Sequence, residues 1–239
     1  MRKSIAAAVM ILSATTAGCS HEGRAETITR SFPVGNFSQI EVNGPYDVEV
    51  RTGTNPTAVA EGSDKVLDLT DVRIDGDKLV ISEKERHGTF SFGWSNRGKV
   101  KFVITVPALS AAAITGSGDL KVDHIRGDRF EGTVTGSGDL QLSTVEVQAI
   151  KLAITGSGNV TAGSGKARTA DYSIAGSGDV DAGGVATEQA SVSVAGSGNI
   201  KARASGTARV EIAGSGDADI SGGAKCSIEK NGSGEVRCS

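Results

Sequence analysis

"ITGSGDLKVDHIRGDRFEGTVTGSGDL" runs from Ile114 to Leu140 and holds the phrase T-G-S-G-D-L twice, with its glycines twenty residues apart. The interval persists beyond this stretch. A glycine-serine-glycine phrase begins at Gly116, Gly136, Gly156, Gly176, Gly196, Gly214 and Gly232, at spacings of 20, 20, 20, 20, 18 and 18 residues. Self-similarity at a fixed period of this size is the mark of a repeat architecture.

Aligning the copies on their first glycine exposes the pattern around it. Two residues before it stand Ile114, Val134, Ile154, Ile174, Val194 and Ile212. Four after it stand Leu120, Leu140, Val160, Val180, Ile200, Ala218 and Val236. The positions four before and six after are also apolar or small, Ala162, Ala182 and Ala202 among them, and the residues between are mostly polar or small. Alternation with period two on both sides of a turn describes two short strands, each with one buried face. A unit this short has no second face to cover its first. Stacked on copies of itself it does, so the expected fold is all-β: a parallel β-helix, or solenoid, right-handed, with coils of about 20 residues. Seven coils at ~4.8 Å each would form a rod roughly 30 Å long. A propeller blade needs about forty residues, and a sandwich of hairpins has no reason to keep so constant a period.

The repeated G-S-G-[DN]-[LIV] phrases, preceded by "IEVNGPYDVEV" (Ile40 to Val50) and "VITVPAL" (Val103 to Leu109), resemble the putative autotransporter adhesin head GIN domain family, over residues 28–239. The resemblance implies a secreted or surface-exposed bacterial protein with a β-helical fold. It implies no established activity, since sites rather than folds carry function.

Residues 28–110 repeat less clearly than 111–239. "NGPYDVEV" around Gly44 reads as a degenerate copy of the coil turn, with Pro45-Tyr46 in place of Ser-Gly. "VLDLTDVRIDGDKLVISEK" alternates on both sides of Asp75-Gly76, which marks a turn between two strands. This part is expected to be irregular β-structure that covers the first coil, because exposed strand edges invite aggregation.

Residues 1–18 stand outside the fold. Arg2 and Lys3 precede an apolar run, Ile5 to Leu12, too short to span a bilayer. Thr16-Ala17-Gly18-Cys19 then resembles a bacterial lipoprotein signal, in which Cys19 would receive lipid, although Thr16 stands where Leu is usual. An ordinary secretory signal cut nearby is the alternative. Residues 19–27 would form a linker, and Ser20 suits outer-membrane sorting, facing periplasm or surface. An exported chain meets an oxidising compartment, so Cys226 and Cys238, on inward positions either side of Gly232, are expected to form a disulfide that pins the last coil. No His or further Cys lies near them to make a metal site.

The net charge of the full chain is −3, and loss of Arg2 and Lys3 would leave 23 basic against 28 acidic residues, or −5. No basic run offers phosphate neutralisation, so nucleic acid is not an expected partner. The residue after each glycine-serine-glycine is Asp119, Asp139, Asn159, Asp179, Asn199, Asp217 or Glu235, stacked into one ladder. Such a row of oxygen ligands would suit Ca²⁺; the plainer reading is turn chemistry, Asp and Asn bonding to local backbone. Metal-free and cofactor-free function is the expectation. The repeated serines lack an adjacent base, and G-S-G is not the G-x-S-x-G of a nucleophile elbow. "HGTFSFGWSNRGK" (His87 to Lys99) sets Phe90, Phe92 and Trp94 on one face, flanked by Arg86 and Arg97. Exposed, that face would bind a glycan or protein of the envelope; buried, it would cap the open end of the solenoid.

The sequence thus points to a non-catalytic, exported interaction scaffold, membrane-bound only through its lipid. The alternative is a carbohydrate-active β-helix enzyme, which needs an acid and a base aligned on adjacent coils. Lys121, Lys201 and Arg203 fall at outward positions, but no paired acid is expected beside them in neighbouring coils.

Overall fold

A computed structural model describes residues 27–84 and 100–239. The leader, Cys19, the linker up to Glu26, and the aromatic segment with Phe90, Phe92, Trp94 and Arg97 lie outside the described residues. The chain forms β1 (Thr27–Phe32), β2 (Gln39–Asn43), β3 (Tyr46–Thr52), β4 (Thr57–Ser63), a helical turn α1 (Asp64–Leu67), β5 (Thr70–Asp75), β6 (Lys78–Glu83) and β7 (Val100–Val106). The repeats supply β8 (Ala111–Gly116), β9 (Asp119–Gly136), β10 (Asp139–Gly156), β11 (Asn159–Lys166), β12 (Thr169–Gly176), β13 (Val180–Gly196), β14 (Ile200–Gly214), β15 (Ala218–Ser221), β16 (Lys225–Gly232) and β17 (Val236–Cys238).

Within the repeats every pairing is parallel and coil stands on coil. Leu140 pairs with Leu120, Ile154 with Val134 and Gly156 with Gly136; Ile174 pairs in turn with Ile154 and Val194. A sandwich of hairpins would pair antiparallel, so the solenoid reading holds. One detail differs from expectation. The post-corner strand of one coil and the pre-corner strand of the next run together, so β9 and β10 are each 18 residues long. The chain leaves strand geometry mainly at the glycine-serine-glycine corner.

Alternation places the apolar rows inside. Ile114, Val134, Ile154, Ile174, Val194 and Ile212 are all at most 2% exposed, as are Ala162, Ala182 and Ala202 on the opposing side. Gly132 interrupts its row to make room: a Cβ there would lie 2.7 Å from a Leu140 methyl and 2.9 Å from one of Leu152. Where the period drops from 20 to 18, the register slips between β13 and β14, from Asp181 opposite Lys201 to Gln189 opposite Thr207. Buried Thr187 repairs the slip by donating its hydroxyl to the Arg203 carbonyl at 2.7 Å, and Ser205 donates to the Thr187 carbonyl at 3.2 Å.

The stack does not begin at Ala111. β2 lies parallel on β8, Val42 against Ile114, and β3 lies on β9, Val50 against Val122. The corner between β2 and β3 is Gly44, at φ 127°, and its N–H donates to the Thr115 carbonyl at 2.9 Å. On their other edges β2 and β3 pair parallel with β6 and β7. The layer at Gly44 is thus held between segments that follow it in sequence. β4 and then β1 continue antiparallel outward from β7, and β5 turns back on β6 through Gly76 and Asp77. The irregular region therefore covers the first coil, as expected from sequence. The run at Val66 and Leu67 does not extend the strand, however. It forms α1, with both side chains buried under the cap. Arg30 of β1 closes that cap with contacts of 2.7 Å to Asp64 and 2.8 Å to Asp68. Phe32, Tyr46 and Phe102 pack beneath it, the Tyr46 ring edge-on to Phe102 at 5.8 Å.

At the far end Cys226 and Cys238 are joined in a disulfide, with Cα atoms 6.6 Å apart. Cys226 stacks on Ala208 and Cys238 on Ile220, so the bridge crosses the last coil on its inward side.

Candidate functional site

The repeated corner is the natural place to look for chemistry. Its first glycine takes a backbone geometry that side chains disfavour, φ 117° at Gly136 for example. Its carbonyl accepts the serine N–H one coil on: Ser137 to Gly116 at 2.8 Å, Ser157 to Gly136 at 2.8 Å, Ser177 to Gly156 at 2.9 Å. The second glycine answers a different need. A Cβ on Gly118 would sit 2.5 Å from the Tyr46 carbonyl oxygen and 2.6 Å from that of Gly44. Glycines thus stand at both places because one must turn and the other must let the backbone of the neighbouring coil pass.

The Asp/Asn ladder binds coil to coil. Asp119 Oδ1 accepts the Asp139 N–H at 3.2 Å, Asp139 accepts that of Asn159 at 3.1 Å, and Asn159 that of Asp179 at 3.2 Å. Asp179, Asn199 and Asp217 continue the series at 2.8, 3.1 and 2.7 Å, the last to Glu235. Where Asn follows Asp, its amide also donates across, Asn159 to Asp139 and Asn199 to Asp179, both at 2.9 Å. The expected bonding to backbone is present, but it runs between layers rather than within the turn. One oxygen of each ladder side chain from Asp119 to Asp217 is thus engaged by the next layer. Among the described residues no three His, Cys, Asp or Glu side chains group around one metal position.

Past the ladder, the next outward row carries Glu49, Lys121, Gln141, Thr161, Asp181, Lys201, Asp219 and Arg237, charged at both ends and neutral in the middle. Two shallow depressions open there. One is lined by Asp47, Glu49, Lys101, Asp119 and Lys121. The other, of about 450 Å³, is lined by Asp179, Asp181, Lys201, Asp217, Asp219 and Arg237. Here the sequence expectation needs correction. Lys201 does face an acid in the adjacent coil, Asp181, at 3.8 Å, and Lys121 stands opposite Glu49. The first partner was readable twenty residues upstream. The second was hidden, because 72 residues separate Glu49 from Lys121 in the chain. Arg203 pairs instead at the register slip, opposite Ala186 and Ser221.

Further cross-coil pairs lie on the other faces: Arg126 with Glu146 at 2.9 Å and Lys151 with Glu131 at 2.9 Å. Hydrogen bonds from Arg126 hold the Glu146 carboxyl below the usual carboxylate range, and Arg51 followed by Lys101 does the same for Glu49. These groups are solvent-exposed and already neutralise one another. Such pairs fix register and add modestly to stability. His124, eight residues past Gly116, sits 3.7 Å from Glu146 and not at a corner serine.

The sequence profile of a family described as "Putative auto-transporter adhesin, head GIN domain" matches residues 36–224. Among solved structures, a putative adhesin from Bacteroides fragilis NCTC 9343 superposes with a TM-score of 0.78 at 22% identity, over 88% of this chain and 96% of that one. A putative lipid binding protein from Parabacteroides distasonis ATCC 8503 gives 0.69 at 21% identity, over 90% and 97%. A putative adhesin from Parabacteroides merdae ATCC 43184 gives 0.67 at 18%, over 90% and 98%. At these identities the likeness is one of fold. Among the curated proteins nothing matches.

Proposed function

The chain belongs to the putative auto-transporter adhesin head GIN domain family, and from that premise we propose that it is a non-catalytic, adhesin-like scaffold of the bacterial cell envelope. Exported and held to the outer membrane through lipid on Cys19, it presents a rigid rod to a protein or glycan partner, in the periplasm or at the surface. The observation that carries this reading is the use to which the repeat puts its polar groups. Ladder oxygens and corner carbonyls accept from the next coil, and the outward charges of adjacent coils pair with one another. Chemistry repeated so evenly serves stacking, and what it leaves to the outside is a flat, weakly acidic surface.

The segment with Phe90, Phe92, Trp94 and Arg97 is the binding element we assign, because it departs from the repeat in a chain otherwise poor in aromatics. Pull-down from intact envelopes tests both statements. The expected result is retention of a protein or glycan partner, weakened at least about tenfold when Phe90, Phe92 and Trp94 are replaced by Ala. Undiminished capture by that variant removes the aromatic segment from the reading. Failure to retain any partner, together with turnover of an acidic polysaccharide, overturns the scaffold itself.

A further inference from the structure

The inward row two residues before the corner glycine reads Val42, Ile114, Val134, Ile154, Ile174, Val194, Ile212 and then Lys230. Seven of the eight are aliphatic and buried. Lys230 stacks directly on Ile212 and so occupies the same inward position in the last coil. Lys230 is exposed at the open face of this coil. Nζ donates to the carbonyl of Gly234, across the corner of the same coil, at 2.9 Å. Beside it the Cys226–Cys238 bridge crosses the inward side, and both sulfurs lie near the Ala224 carbonyl. Ile228, on the same strand, is 50% exposed, the one large hydrophobic side chain so exposed among the described residues.

We propose that the last coil is built to refuse a second copy of itself, with Lys230 as the residue that blocks end-to-end stacking. Among the described residues the outer edges of β16 and β17 pair with no further strand, and they carry the backbone pairing groups that one would use. A second copy meeting this end about a two-fold axis would set β16 antiparallel to its mate, Ile228 against Ile228, with Lys230 facing the partner's Cys226. Such contact is self-complementary in its backbone and closes at a dimer. It would also bury two ammonium groups in an apolar layer, and removing a charge from water without a counter-charge is strongly unfavourable. An inward-pointing charge is among the devices that protect sheet edges. Lys230 serves here with a second benefit, satisfying the Gly234 carbonyl.

Sedimentation velocity on the whole exported chain, purified without its leader, tests this. Wild type is expected to stay monomeric. Lys230→Ile restores the residue type of the row and is expected to dimerise, with self-association at least about tenfold tighter than wild type. Glu229→Ile adds the same side chain one residue away, on the outward side of β16, and is expected to stay monomeric. Should Lys230→Ile fail to fold, Lys230→Ala removes the charge without bulk and is read in the same way. A monomeric, folded Lys230→Ile or Lys230→Ala overturns the proposal. So does equal association by Glu229→Ile, or growth of open-ended polymers in place of a dimer.

Discussion

Tyr172 is, with Phe130, one of two aromatic rings buried inside the repeats, 1% exposed and stacked between Leu152 and Val192. Its hydroxyl has no hydrogen-bond partner among the described residues. Burial pushes its ionisation well above the ordinary phenol range. The consequence for stability has a definite sign. Below about pH 10 both folded and unfolded chains keep the phenol neutral, and the group is silent. Above that pH the unfolded chain loses the proton while the folded chain cannot, so stability falls by about 1.4 kcal/mol per pH unit from this group. Tyr172→Phe is expected to leave stability at pH 7 unchanged or raise it by up to about 1 kcal/mol, since an unpaired buried hydroxyl is removed. Urea titrations at pH 7 and at pH 11 check this: the variant should lose less stability between them than wild type does. An equal loss would place the alkaline sensitivity elsewhere.

At the scale of the element, the corner decides whether coils stack. The second glycine of each phrase is a matter of clearance. A Cβ on Gly138 would overlap the carbonyl oxygen of Gly118 and lie 2.9 Å from an Ile114 methyl. Gly138→Ala should therefore cost about 1–3 kcal/mol through forced separation of two coils. Gly35→Ala, where a Cβ meets nothing within 4 Å, should stay within about 0.5 kcal/mol of wild type in the same denaturant series. The sequence showed that glycines recur at the corner and that Asp or Asn follows. It did not show that side chains there bond across layers, because a one-dimensional row carries no sign of whether an oxygen points along or across the stack. Lys230 was legible only as a break in an aliphatic row, and its contact with Gly234 needed the last corner in three dimensions.

At the scale of the whole molecule, the layer of β6 and β7, the layer at Gly44 and the seven repeats make nine layers. Eight steps at ~4.8 Å give a rod roughly 38 Å long. Because coils touch mainly their neighbours, their energies add along the axis. Excision of residues 160–179 joins Asn159 to Val180 and keeps every inward position inward. It should give a folded protein about 4.8 Å shorter by small-angle scattering, with a single thermal transition. Excision of 160–178 removes one residue fewer, inverts the alternation at the junction, and should not fold cooperatively by circular dichroism. The period that predicts this was plain in the sequence. The start of the rod was not, since β2 finds β8 across 72 residues, and local pattern does not reveal a partner so distant.

That distant pairing also decides how the rod can come apart. The Gly44 layer is clamped by β6 and β7 on one side and β8 and β9 on the other. Tension on the leading end of the chain therefore cannot strip coils one after another. It must break the clamp in shear, many hydrogen bonds at once. Among the described residues β16 and β17 have no such clamp, so coils can unzip in sequence from that side. The disulfide closes the coil where such unzipping would start.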